Sequence, residues 1–249
     1  MLSVVLITKN AEHLLGRTLE AVSWADAILI VDSGSTDGTR ELAEAMGAKV
    51  LLQTDWKGYG YQKSYALSKA EGDWILFLDA DEVVDETLAE EIQRATKGDR
   101  EAAGYSMLRV SYFCGDRLRF GNSRPDYVDR LFKREKGSVS DHRVHERVII
   151  DGPVERLQGE LHHYTTESIS HRVRKNDEYA TTAAEELYRQ GKRASMLQLL
   201  FLMPLSIFRD LVLMGGILDG KNGVIIAVTG AFYSFSKYAK LRELQKKSS

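Results

Sequence analysis

Asp73-Trp-Ile-Leu-Phe-Leu-Asp79-Ala-Asp81-Glu82 decides how this chain is to be read. Five apolar residues in a row, rich in β-formers, mark a strand buried on both faces. The run ends directly in two carboxylates two positions apart. Working back toward Met1, the same device recurs twice. Ser3 to Ile7 is a buried apolar strand that runs into Thr8-Lys9-Asn10, and Ala27 to Val31 runs into Asp32-Ser-Gly-Ser-Thr-Asp37-Gly38. Helical segments separate these strands: Ala11 to Ser23, Thr39 to Met46 before the C-capping Gly47, and Tyr61 to Ala70. Lys49 to Gln53 supplies one more strand. The order β-α-β-α-β-α-β predicts a Rossmann-like, mainly parallel sheet covered by helices on both faces. Ligands of such sheets bind beyond the carboxyl ends of the strands, where all three polar clusters fall.

Composition narrows the classes. The chain has 249 residues and one cysteine, Cys114, so a disulfide scaffold and a Cys-rich zinc site are excluded. The 34 Lys+Arg against 36 Asp+Glu, net −2, exclude nucleic-acid binding by bulk positive charge. That near-neutrality averages two unlike parts. Residues 1–171 hold 21 basic and 29 acidic side chains, net −8, and residues 172–249 hold 13 and 7, net +6. Met1 to Ile7 lacks the basic flank and cleavage site of a secretion signal, and a cytoplasmic protein is expected.

Carboxylates spaced as Asp79-Ala-Asp81 suit a hard divalent cation that keeps open positions for phosphate oxygens, or else a solvated turn that caps the next helix. The Asp32 loop suits a nucleobase contact or a tight helix-capping turn. Neither GxGxxG nor GxxxxGK[ST] occurs, which argues against a dinucleotide fold and a P-loop. Hydrophobics before Asp79-Ala-Asp81-Glu-Val83 also match the pattern of haloacid-dehalogenase phosphatases, but that family carries its DxD on the first strand.

Taken together, Thr8-Lys9-Asn10, Asp32 to Thr39, Gly60-Tyr-Gln62-Lys63 and Asp79-Ala-Asp81-Glu82 resemble the inverting family 2 glycosyltransferases of GT-A fold. The resemblance covers about residues 1–165. It implies a nucleotide-sugar donor, uridine diphosphate first among them, and Mg²⁺ or Mn²⁺. By position it implies donor binding by Thr8, Asn10, Glu12, Asp32, Lys63, Asp79 and Ala80, with Asp79, Asp81 and His163 toward the metal and His162 as the other histidine in question. Lys9 departs from the pattern, since the family commonly has an aromatic residue there. The resemblance implies that Glu146, 65 positions after Asp81, is the general base, with Asp141 the nearby alternative. Arg124, Arg130 and Arg134 either meet an anionic acceptor or pair with local acids. Trp56 and Tyr59 to Tyr61 either line a sugar site or pack.

Two domains are expected: a catalytic one over 1–170 and a C-terminal amphipathic helical one over 171–249. Met196 to Leu218 is apolar but interrupted by Pro204, Arg209 and Asp210. Gly223 to Phe235 is apolar and followed by Lys237, Lys240, Arg242, Lys246 and Lys247. Apolar helices beside cations fit a monotopic contact with anionic lipid, here a peripheral place on the inner membrane, or else ordinary packing. Gly216-Ile-Leu-Asp219-Gly220-Lys-Asn-Gly223 and Lys237-Tyr-Ala-Lys240-Leu resemble the glycosyltransferases of the lipopolysaccharide inner core, including the β-1,4-glucosyltransferase type. That implies transfer of a hexose to a lipid-linked or lipopolysaccharide-core acceptor. The alternatives are a polyprenyl-phosphate glycosyltransferase, the phosphatase, and a non-catalytic binding protein.

Overall fold

The computed structural model describes residues 1–98, 101–140, 147–166 and 168–247. The chain forms two compact units, one of Met1–Arg109 with Asp126–His163, the other of Val110–Pro125 with Tyr164–Ser249.

The first unit carries the expected alternation. β1 (Leu2–Thr8), β2 (Ala27–Asp32), β3 (Lys49–Leu52) and β4 (Trp74–Asp79) alternate with α1 (Glu12–Ala21), α2 (Thr39–Ala45) and α3 (Tyr59–Lys69). β1 pairs in parallel with β2 and β4, and β2 with β3, giving the order β3-β2-β1-β4. β1 and β4 lie mid-sheet and are almost wholly buried, as their unbroken apolar runs require. Leu15, Leu19 and Leu88 cover one face, and Ala66 and Ala70 pack with Phe77 and Phe132 on the other. Gly47, at φ +85°, closes the turn after α2.

Beyond β4 the sheet ceases to be parallel. β5 (Glu82–Val84) and α4 (Glu86–Lys97), capped by Asp85 accepting from the Leu88 N–H at 2.7 Å, lead to β6 (Gly104–Phe113). The short β7 (Asp116–Arg117) pairs antiparallel with β6. β8 (Asp126–Lys133) pairs antiparallel with both β4 and β6. β9 (Gly137–Val139) and β10 (Val148–Ile150) form a separate antiparallel pair. β11 (Val154–Thr166) runs antiparallel to β5, with His163 opposite Glu82. The sheet is therefore mixed, with four parallel strands bearing the rim and an antiparallel extension.

The second unit is helical: α5 (Ile169–Arg189), α6 (Met196–Phe208) and α7 (Gly220–Lys247). Ser195 and Gln198 make a reciprocal capping box at the start of α6. Pro204 sits inside α6, which widens at its end into a π-helical turn over Arg209–Leu213. The unit also takes in residues 110–125, which lie outside the expected 171–249 boundary. The Gly-Gly-Ile-Leu-Asp-Gly stretch is its tightest corner. Asp219 accepts from the Arg119 N–H at 3.1 Å and the Phe120 N–H at 2.9 Å. A Cβ on Gly223 would lie 1.7 Å from the Gly216 carbonyl oxygen.

Candidate active site

The carboxyl ends of β1 and β2 are stitched to each other. Asp32 is fully buried and its carboxylate is saturated. Oδ1 accepts the Gly34 and Ser35 N–H groups at 3.0 and 2.8 Å, and Oδ2 accepts the Thr8 and Ser35 hydroxyls at 3.0 and 2.5 Å. The carboxylate of Asp32 thus ties the turn to the end of β1. Asn10 stands at φ +51°, a left-handed position that Asn tolerates, and its Oδ1 accepts the Thr36 N–H at 2.8 Å. Glu12 accepts the Gly38 N–H at 2.9 Å. Thr8, Asn10, Glu12 and Asp32 all converge on one rigid loop.

The end of β4 is a dense charge cluster. Lys63, buried on α3, reaches Asp79 Oδ1 at 3.0 Å, and Arg130, buried on β8, reaches Asp79 Oδ2 at 2.7 Å. Arg130 also donates to Glu82 Oε1 at 2.5 Å, and Glu82 Oε2 takes the Asp79 N–H at 3.0 Å. Arg109 bridges outward to Asp126 at 3.0 Å. The Thr18 hydroxyl donates to the Ala80 carbonyl at 2.9 Å and holds the turn from below. Burial works against the Asp79 charge, but Arg130 and Lys63 outweigh it and keep its carboxyl well below the usual carboxylate range. Burial likewise opposes the Arg130 charge, and Asp79 and Glu82 more than restore it. Arg130 therefore pairs with local acids. Glu82, wholly buried, is a member of the cluster that the strand pattern does not single out.

Both Asp79 oxygens face cations, so the carboxylate open to a metal is that of Asp81. Its Oδ2 lies 3.4 Å from His163 Nε2. Metal–ligand bonds of about 2.0–2.2 Å place neighbouring ligand atoms about 3.0–3.5 Å apart, so this pair fits two adjacent positions on one divalent cation. His163 Nδ1 is buried without a partner, and the ring is completed only from its Nε2 side. No group of three or more His, Cys, Asp or Glu side chains suited to a metal gathers among the described residues. His162 turns to Glu160 instead, at 3.4 Å. Glu146 and Asp141 lie outside the described residues. Ser140 and Arg147, which flank that segment, are joined by two hydrogen bonds, Ser140 N–H to the Arg147 carbonyl at 2.9 Å and Arg147 N–H to Ser140 Oγ at 2.8 Å.

Comparison with known proteins bears on this arrangement. The family model for glycosyl transferase family 2 matches residues 3–156, from the second residue of β1 through β10, with the whole acidic turn. A lipopolysaccharide core biosynthesis glycosyltransferase of Rhizobium meliloti, LpsC, is 32% identical over 96% of this chain and 91% of its own. An uncharacterised glycosyltransferase of Rickettsia typhi is 30% identical over 99% and 88%. Among solved structures, Staphylococcus aureus TarS 1–349 in complex with UDP aligns over 100% of this chain and 92% of its own at 13% identity, with a TM-score of 0.49. The match of family and of near-full-length relatives sets aside the phosphatase reading. The chain belongs to glycosyl transferase family 2, with the mixed α/β GT-A fold of that family.

Proposed function

We propose that this protein transfers a hexose from a nucleoside-diphosphate sugar, with uridine as the base, to a saccharide acceptor of the lipopolysaccharide core, inverting the anomeric centre. The carrying observation is the polar cluster at the end of β4, where two buried cations and a free Asp81–His163 pair face the rim on which a parallel sheet binds its ligand. The similarity to LpsC over nearly the full length supports the acceptor class.

Asp81 and His163 would hold the metal, and a mixed carboxylate–imidazole pair suits Mn²⁺ better than Mg²⁺. The cation would neutralise charge on the departing diphosphate. Lys63 and Arg130 add fixed positive charge beside the same oxygens at no cost of reorganisation, because Asp79 and Glu82 already orient them. In the transfer, the acceptor oxygen forms its bond to the anomeric carbon as the bond to the phosphate oxygen breaks. The electron pair leaves with the nucleoside diphosphate, and the acceptor's proton passes to the Glu146 carboxylate. Residues 1–170 are assigned the catalysis and residues 171–249 the acceptor's membrane.

Asp81→Ala and Glu146→Gln test this directly in a transfer assay with radiolabelled donor. Each should lower kcat at least 100-fold. Glu146→Gln should still bind the donor, and Asp81→Ala should lose the response to added Mn²⁺. Normal turnover by Glu146→Gln removes it as the base, and turnover by both variants removes the assignment.

A further inference from the structure

The motif Gly216-Ile-Leu-Asp219-Gly220-Lys-Asn-Gly223 takes no part in the transfer described above. It forms the corner between the π-helical turn and α7, with a short 3₁₀ turn over Gly216–Asp219. Its apolar side chains stand in water. Leu213, Ile217 and Leu218 are exposed at 70%, 59% and 67%, and Phe120, from the segment between β7 and β8, at 38%. A Cβ on Gly215 would lie 3.7 Å from both Leu218 Cδ1 and Phe120 Cδ1, so these two side chains flank one point of the corner. Exposed Leu205 and Phe208 of α6 and Val212 of the π-helical turn precede it in the chain. Large apolar groups gathered in this way mark an interaction surface.

The backbone beneath these tips is fixed. The Asp219 carboxylate accepts the Arg119 and Phe120 N–H groups, and the Gly121 N–H donates to the Met214 carbonyl at 2.9 Å, so residues 119–121 are tied to the corner. Gly215 and Gly220 take left-handed φ angles of +71° and +61°. A Cβ on Gly216 would come within 2.6 Å of the Asp210 carbonyl oxygen. The tips are thus presented by a preformed corner, and little freedom is left to lose on binding.

The charges of the corner distinguish its partner. Arg119, Arg124 and Lys221 are exposed, and among the described residues no carboxylate pairs with them. The nearby acids are engaged from within the corner. Asp219 holds the two N–H groups, Asp116 accepts from Asn222 Nδ2 at 2.8 Å, and buried Asp210 is held by Arg209 and Asn122. A second copy of the chain docked through this patch about a twofold axis would set the cations against their own images. An anionic lipid surface meets both the cations and the apolar tips. The irregular backbone belongs at headgroup level, because bare acyl chains cannot satisfy its polar groups. Resting on the assignment of residues 171–249 to the acceptor's membrane, we infer that this corner is a wedge that enters the interface of an anionic phospholipid bilayer. Phe120, Leu213, Ile217 and Leu218 reach the acyl boundary, and Arg119, Arg124 and Lys221 lie on the lipid phosphates.

Flotation of the full chain with vesicles of phosphatidylcholine, with and without phosphatidylglycerol, tests this. Ile217→Asp with Leu218→Asp should weaken binding to the phosphatidylglycerol vesicles about 10- to 100-fold while the thermal midpoint holds. Arg119→Gln with Lys221→Gln should narrow the preference for phosphatidylglycerol over pure phosphatidylcholine about 10-fold. Leu218→Trp reads depth. On phosphatidylglycerol vesicles its emission should shift to the blue and be quenched by lipids brominated near the headgroup end of the acyl chain, beyond any change of the three native tryptophans. Vesicle binding by Ile217→Asp with Leu218→Asp equal to the wild type's overturns the wedge and leaves the membrane reading standing. A Leu218→Trp emission that bound vesicles leave unchanged does the same. Absence of wild-type binding to either vesicle overturns the membrane reading and the wedge with it. A dimer that Ile217→Asp with Leu218→Asp dissolves, in a chain that ignores vesicles, overturns both and gives the corner to a second copy.

Discussion

At the scale of single residues, the chemistry rests on charges placed where water is scarce. Arg130 is buried against Asp79 and Glu82, so Arg130→Met strands two carboxylates. The change should cost about 3–5 kcal/mol by chemical denaturation. Asp79, with its side chain 32% exposed, carries a linked pH effect. Its carboxyl is depressed in the folded state, so the stability it adds is present above the unfolded value of about 3.9 and is lost as pH falls below it. The stability difference between the wild type and Asp79→Asn should therefore be constant from pH 8 to 5 and shrink below about pH 4. Denaturant titrations across that range measure it. Asp79 and Asp81 are visible in the sequence because a strand ends on them. Arg130 is visible only as one of three nearby arginines, since its partner is chosen by the antiparallel register of β8 on β4, which no local pattern encodes. The turn at Asp32 is hidden for a related reason. An Asp followed by Ser and Gly reads equally as a ligand and as an Asx turn, and the hydrogen bonds of the turn are visible only in the structure.

At the scale of elements, β1, β2 and β4 are legible nearly to the residue, because a strand buried on both faces has no polar position to confuse its limits. The antiparallel extension is not, since its half-exposed strands alternate weakly. In α6, Leu197, Phe201, Leu205 and Phe208 recur at helical spacing and are all exposed, the π-helical turn adds Val212, and α7 adds Val224, Val228 and Phe232. Met196–Leu213 is long and apolar enough to cross a membrane, yet 6% of it is buried within the protein. Asp210, inside that stretch, is buried and paired with Arg209 and Asn122, so the apolar run carries a fixed charge pair near its end. Leu200→Glu with Phe201→Glu, at positions 57% and 52% exposed, should lower co-sedimentation with phosphatidylglycerol vesicles at least about 10-fold while the thermal midpoint holds. The glycine corner offers the opposite case. Gly223→Ala drives a methyl into the Gly216 carbonyl and should lower stability by about 3 kcal/mol or more, read by thermal unfolding. The motif that resembles a lipopolysaccharide subgroup is, in physical terms, a place where two backbones touch.

At the scale of the molecule, near-neutrality conceals an acidic front, net −8 over residues 1–171, and a basic, apolar helical back, net +6 over residues 172–249. If the helical part meets anionic lipid, vesicle binding should weaken between 50 and 500 mM salt without vanishing, since apolar contact outlasts screened charge. Binding that salt abolishes would reduce the contact to electrostatics. One pairing reaches further than stability. His163 comes to Asp81 across 82 residues of chain because β11 lies on β5 with His163 opposite Glu82. Closing a longer intervening loop costs only slowly more, about 0.6 kcal/mol per doubling, whereas a slip of one residue in β11 turns the imidazole to the other side of the sheet. Over evolutionary time such a protein is free to gain and lose surface between these two residues without parting them, provided that every insertion falls in the connections and leaves the strands that set the register, β5, β6, β8 and β11, untouched.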